Sequence, residues 1–198
     1  METYNLGIVT KALYDARVPV FTRTTLRDTI HTAIKPITLS VIIRRLLETK
    51  ILTKLERGKY LMHGSRAHEF VIANFLYDPS YVSFESALNY HGVLPQIAYE
   101  MTSATTRKTV KKIIEHRCYR YNHIQKSLFW GYDKVSGFLV ANAEKALLDL
   151  AYLASKGYGK IQPDDLIMER INRKRMREYA RAYPHTTAFR NILKEMGL

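Results

Sequence analysis

Along the first fifty residues the apolar side chains recur three and four positions apart, the spacing of helices that bury one face. Leu6, Val9, Leu13 and Ala16 predict an amphipathic helix over residues 4–16, which "RVPVF" ends at Pro19. Thr22 and Thr24 offer hydroxyl caps to a short second helix with Leu26 and Ile30 turned inward. "KPI" reads as a turn, and Thr38 as the cap of a third helix running to about Thr49. In that helix Leu39, Ile42, Ile43, Leu46 and Leu47 form a single stripe. The pattern then changes. "ILTKL" and "KYLM" read as two strands around a Glu56-Arg57-Gly58 turn. Three helices and a basic hairpin in this order predict a winged helix-turn-helix over residues 1–66.

Beyond it, "SRAHEFVIANFLYDPS" predicts a short helix linking two domains over residues 67–80. Ser83 reads as the cap of "FESALNYHG", with Phe84, Ala87 and Leu88 inward and Gly92 as the stop. "QIAYEMTSATT", "VKKIIEHRCYRYNHI", "SLFWGYDKV" and "GFLVA" are rich in β-branched and aromatic residues and read as strands. "NAEKALLDLAYLASKG" is helical, with Asn142 as cap and Ala146, Leu147, Leu150 and Leu153 buried. Two or three helices follow Pro163. The expected fold class is α+β: a winged helix-turn-helix, then a mixed α/β domain over residues 81–198 with a helical tail.

Charge narrows the partner. The 198 residues carry a net charge of +13, which favours a polyanion. Residues 1–66 hold twelve basic against five acidic side chains, the denser share. No apolar run approaches the length of a membrane span, so no membrane partner is expected. The N-terminus lacks the basic and apolar regions of a signal peptide. Cys118, the only cysteine, permits neither an internal disulfide nor a thiolate metal cluster, and a reducing cytoplasm fits best.

On the third helix, Ser40, Val41, Arg44, Arg45 and Glu48 project opposite the apolar stripe. Short side chains followed by arginines suit entry into a major groove. The expected contacts with duplex DNA are Thr38, Ser40, Val41, Arg44 and Arg45 on the helix, with Arg57 and Lys59 of the hairpin on a neighbouring phosphate strand. Further on, "MERINRKRMREYAR" carries six basic residues against two acidic ones. At helical spacing Arg170, Arg173, Lys174, Arg177 and Arg181 fall on one broad face, a candidate interaction surface, while Ile171 and Met176 point elsewhere.

Catalytic signatures are missing. HExxH, a Walker loop and G-x-S-x-G do not occur, and Gly64-Ser65 lacks the Asp-x-Asp that would hold magnesium in a nucleotidyltransferase. Neither a catalytic residue, a metal ligand nor a cofactor is expected. His91, beside a helix-ending glycine, reads as structural. Glu144 and Asp149 read as first-turn and solvent-face carboxylates, and Cys118 as a strand residue that packs.

"LLETKILTKLERGKYLM", then "YVSFESALNYHGVLP", strand-rich sequence and "VANAEKALLDL" together resemble the AbiEi-type antitoxins of bacterial abortive-infection systems. The most specific matches are Ser83, Ser86, Ala87, Leu88, His91 and Gly92, the run at 144–149, and Arg57, Gly58 and Tyr60. The resemblance implies two roles. One is repression of the chain's own operon through inverted repeats. The other is a C-terminal domain that counteracts a neighbouring nucleotidyltransferase toxin, functionally or by direct contact. Two alternatives come from the residues. A ligand-sensing transcription factor without antitoxin activity would show a concave pocket in the second domain. An RNA-binding protein would use "HRCYRYNHIQ", where basic and aromatic residues interleave.

Overall fold

The computed structural model describes residues 5–30, 34–96, 99–159 and 161–197. The expected helix start at Tyr4 and the Ile97-Ala98 part of the strand-like "QIAYEMTSATT" lie outside them. Among the described residues there are eight α-helices and two β-sheets, a mixed α+β architecture. None of these helices is long and apolar enough to cross a membrane. The chain divides into two compact units, Met1–His68 and Glu69–Leu198.

The first unit runs α1 (Leu6–Asp15), β1 (Val20–Thr22), α2 (Arg23–Thr29), α3 (Pro36–Glu48), β2 (Leu52–Glu56) and β3 (Lys59–Met62). Asn5 caps α1 by accepting from the Gly7 N–H at 2.9 Å. Thr22 and Thr25 cap α2 reciprocally, each hydroxyl accepting from the other residue's main-chain N–H at 3.0 and 2.8 Å. In α3 the stripe buries Leu39, Ile42, Ile43 and Leu46, which join Val9, Leu13, Phe21, Leu26, Leu52, Tyr60 and Met62 in one core. Leu47 and Ile30 pack against its edge.

Three expectations change here. Thr38 does not cap the third helix, and "KPI" is not a turn. Lys35 is the N-cap and Pro36 the first helical residue, because proline has its φ preset and lacks only an N–H that would go unpaired there anyway. "RVPVF" is not merely a break. Its last residues form β1, antiparallel to β3 with Phe21 opposite Tyr60, so the sheet has three strands in the order β1-β3-β2. The hairpin turn is tighter than Glu56-Arg57-Gly58. Glu56 is still in β2, and Gly58, at φ +75°, takes the left-handed conformation that glycine adopts without a Cβ clash.

The second unit holds α4 (Glu69–Leu76), β4 (Ser80–Val82), α5 (Phe84–Tyr90), β5 (Met101–Thr105), β6 (Val110–Ile114), β7 (Arg117–His123), β8 (Tyr132–Val135), β9 (Phe138–Ala141), α6 (Ala143–Ser155), α7 (Arg173–Ala180) and α8 (Thr187–Glu195). Its sheet has the order β6-β7-β5-β4-β9-β8, with β5–β7 and β4–β9 parallel and the other pairs antiparallel. The helix expected within residues 67–80 is α4. That helix belongs to the second unit, burying Phe70, Ala73 and Leu76, and it packs on β4, β5 and β9.

α6 is the unit's central helix, packed against α5, α7, α8 and β9. The expected four-residue buried face is too narrow. Every residue from Ala143 to Leu153 is buried, because neighbours cover the helix on all sides.

Candidate functional site

In the first unit the geometry turns on Arg23, which nothing in the sequence singles out. Its main-chain N–H donates to the Gly58 carbonyl in the hairpin turn at 3.1 Å. Its Nη2 donates to the Pro36 carbonyl at 2.8 Å and to Ser40 Oγ at 2.6 Å, both in the first turns of α3. One residue at the start of α2 therefore pins the hairpin turn and the N-terminal end of α3 together. The expected DNA contacts then separate into two groups. Arg45 and Arg57 are exposed and make no side-chain ion pair among the described residues. Arg44 reaches Glu48 at 3.6 Å with both side chains mostly exposed, a weak pair that water screens. Ser40 is exposed, but its hydroxyl donates back to Pro36 and accepts from Arg23. Thr38 and Val41 are half-buried. Lys59 is not a free hairpin cation, because its ammonium pairs with Glu56 across the turn at 2.9 Å. Ile37, 81 % exposed at the start of α3, is an apolar residue on this surface that an apolar-in reading of the helix could not flag.

In the second unit the signature residues converge on one another. Lys145 and Asp149, one turn apart on α6, are both fully buried and ion-paired. Asp149 Oδ2 accepts from Tyr81 and from Ser83, each at 2.8 Å, and Oδ1 accepts from Tyr183 at 2.7 Å. The Lys145 ammonium also donates to Tyr81 at 2.9 Å and to Tyr183 at 2.8 Å, and lies 5.2 Å from the Trp130 ring centroid. Gly131 is required beside it, since a Cβ there would lie 3.0 Å from the lysine stem. Burial pushes the Lys145 pKa down against the pull of Asp149. Burial first, then the Asp149 charge, push the Tyr81 and Tyr183 hydroxyls well up.

Asp149 is thus not a solvent-face carboxylate, whereas Glu144 does sit in the first turn of α6. Glu144 is 4 % exposed, accepts from the Asn172 N–H at 2.8 Å and lies 3.5 Å from Arg175. Ser83 occupies the N-cap position of α5 but directs its hydroxyl to Asp149 instead of capping. Ser86 Oγ accepts from the Thr102 N–H at 2.8 Å, tying α5 to β5. His91 Nε2 meets the Ala141 carbonyl at 2.8 Å, and Gly92, at φ +68°, lies against the Arg170 guanidinium. Ser83, Lys145 and Asp149 are the residue types of a nucleophile and its base, yet each is 0 % exposed. With Tyr81 and Tyr183 they bond to one another and join α5, α6, β4 and the segment leading into α8.

The basic stretch divides as well. Arg170 is not on the same helix as the others. It sits in a separate 3₁₀ turn and donates to the His91 carbonyl at 3.4 Å, with Asn172 capping α7 after it. Arg173 donates to the Gly197 carbonyl at 3.4 Å. Lys174, Arg177 and Arg181, at spacings of three and four, are exposed without a side-chain partner among the described residues, while Ile171 and Met176 are buried.

"HRCYRYNHIQ" is not a stacking surface. Tyr119 and Tyr121 are buried, and Tyr121 donates to the Ala73 carbonyl at 2.7 Å. On the other face of β7, Arg120 pairs with Glu100 at 2.5 Å, and Lys111 of β6 pairs with the same carboxylate at 2.7 Å. Those hydrogen bonds bring the Glu100 pKa down to about 2. Cys118, half-buried in β7, has its thiol pKa raised by burial and then by Glu100. Among the described residues, no three His, Cys, Asp or Glu side chains are grouped to hold a metal ion.

No protein-family model matches the chain, and no curated protein matches it in sequence. Among solved structures, the crystal structure of RV2827C protein from Mycobacterium tuberculosis is similar, with a TM-score of 0.61 over 92 % of this chain and 72 % of that one. At 14 % identity the likeness is one of fold.

Proposed function

We propose that the chain is a DNA-binding repressor and antitoxin, its first unit a winged helix-turn-helix and its second the part that counteracts a nucleotidyltransferase toxin. The observation that carries the DNA reading is the double attachment of Arg23, which holds a basic hairpin turn against the start of an exposed, arginine-bearing helix. The element order α1-β1-α2-α3-β2-β3 with a three-stranded sheet supports the winged-helix assignment. In this reading α3 enters the major groove with Ile37 against thymine methyls and Arg44 and Arg45 on base edges or phosphates, while Arg57 holds the flanking backbone. Lys59 contributes less, its charge being matched by Glu56. For the second role the supporting feature is the exposed stripe of Lys174, Arg177 and Arg181, unpaired among the described residues, with the resemblance of the sequence to AbiEi-type antitoxins.

The test uses full-length variants with two readouts. Arg44→Ala/Arg45→Ala should weaken binding to a duplex of the DNA upstream of the chain's own reading frame. Arg57→Ala should lower the slope of log K against log salt by about one unit. Both should still protect cells that express the neighbouring toxin. Lys174→Glu/Arg177→Glu/Arg181→Glu should repress normally and fail to protect. Duplex binding that is equal in wild type and the Arg44/Arg45 variant at every salt concentration rejects the DNA role. Full protection by the charge-reversed chain at matched expression rejects the stripe.

A further inference from the structure

A cleft of about 790 Å³ opens on the second unit, where β5 and β7 run past the cover of α6. Arg120 and Asn122 of β7 line it together with Leu150 and Leu153 of α6, so its lining mixes polar with apolar groups. The C-terminal end of α6 forms one wall and brings Lys156 to it. Lys156 meets the Tyr152 hydroxyl at 2.5 Å and has no carboxylate partner among the described residues. Asn122 likewise has no side-chain hydrogen bond among them. Two aromatic rings line the opening. Tyr99 is 94 % exposed and Tyr158 71 % exposed, in a unit that buries Tyr81, Tyr121, Tyr152 and Tyr183 completely or nearly so.

We propose that this cleft binds unpaired nucleobases of single-stranded RNA. Tyr99 and Tyr158 supply stacking faces, Asn122 and Glu85 present hydrogen-bonding groups to base edges, and Lys156 meets a phosphate. Exposed tyrosines are large flat surfaces left in water, and a base stacked on such a ring removes apolar area of both from solvent. An amide with its donors and acceptor unused can read a base edge that pairing does not occupy, and in a duplex the bases show no such faces. A small inorganic anion does not fit as well. Of the two cations that line it, Arg120 already shares its charge with Glu100, which leaves Lys156 alone to meet an anion. An apolar ligand would leave the Asn122 amide unpaired. The cleft takes Arg120 and Asn122 from "HRCYRYNHIQ", but the tyrosines of that stretch face the interior and the stacking residues come from two segments far apart in sequence. The proposal is independent of DNA binding by the first unit.

Fluorescence anisotropy with the full-length chain and a labelled twelve-nucleotide single-stranded RNA tests it. Wild type should bind saturably. Tyr99→Ala/Tyr158→Ala should weaken binding by about tenfold per tyrosine. Lys156→Ala should lower the slope of log K against log salt by about 0.7. Because both tyrosines are exposed, the double variant should keep the wild-type melting temperature and its duplex-DNA affinity, and Arg44→Ala/Arg45→Ala should leave RNA binding unchanged. The proposal is overturned if wild type shows no saturable RNA binding or if the folded double variant binds RNA as wild type does. It is also overturned if AMP, at equal base concentration, competes as well as the unlabelled oligomer, which would make the cleft a mononucleotide site.

Discussion

Replacing Lys145 with methionine is expected to destabilise the second unit by about 3–5 kcal/mol, because Asp149 would keep its charge in a fully buried position with no cation beside it. Tyr81, Ser83 and Tyr183 would still donate to the carboxylate, but hydroxyl donors do not neutralise it. A loss of that size is a large part of the stability of an ordinary domain. Trp130 is the single tryptophan, lies in the second unit and packs on Lys145, so its fluorescence follows the unfolding of that unit alone. The companion variant Lys145→Met/Asp149→Leu should recover part of the loss, since it removes both charges together. If urea midpoints read from Trp130 are the same for wild type and Lys145→Met, the pair is not what holds α6 to its neighbours. If the double variant is no more stable than the single one, the uncompensated charge is not the cause.

Leu46→Ala should act as strongly on the first unit. Leu46 is 0 % exposed in α3's apolar stripe, and truncation there costs about 2–5 kcal/mol in lost burial and residual cavity. A unit of 68 residues buries a smaller share of its surface than a larger domain does and holds little stability in reserve, so the variant should leave it largely unfolded. The neighbouring Arg45→Ala, on the exposed face of the same helix, should change stability by no more than about 0.5 kcal/mol. Amide hydrogen exchange reads the two units separately in the intact chain. Protection should collapse in residues 5–62 of Leu46→Ala and persist in β4, β5 and α6. Equal protection in the Leu46 and Arg45 variants would mean that α3 is rotated from the phase described.

The features of this fold that are legible in the amino-acid order share one physical character: they are local. The 3.6-residue period turns Leu39, Ile42, Ile43 and Leu46 to one side, and each is buried. Asn142 caps α6 by accepting from the Lys145 N–H at 3.0 Å, a bond that spans three residues. Gly92 ends α5 with φ +68°, as a residue without a Cβ can. The strand-rich region between Met101 and Ala141 contains β5 to β9.

The candidate sites are legible only in part, because they depend on pairings that leave no local trace. β1 is three residues long, too short for alternation to show, and exists because β3, beyond two intervening helices, pairs with it. Arg23 reads like any exposed arginine in a capped helix, and nothing nearby along the chain predicts its contacts with Ser40 and Gly58. Lys59 reads as a free cation unless the turn is closed by one residue, which sets Glu56 opposite it. The largest departure is α6. Periodicity assigns Lys145 and Asp149 to no buried stripe, and charged side chains belong in water unless something pairs with them. What pairs with them comes from positions 64, 66 and 34 residues away, in Tyr81, Ser83 and Tyr183. Which segments coil, which extend and which side of each helix is apolar follow from bonds and spacings within a few residues, and the amino-acid order alone is enough to set them. Which charges are buried and which are free to meet a partner depends on groups brought together from dozens of residues apart, and that is fixed by the packing of the folded chain.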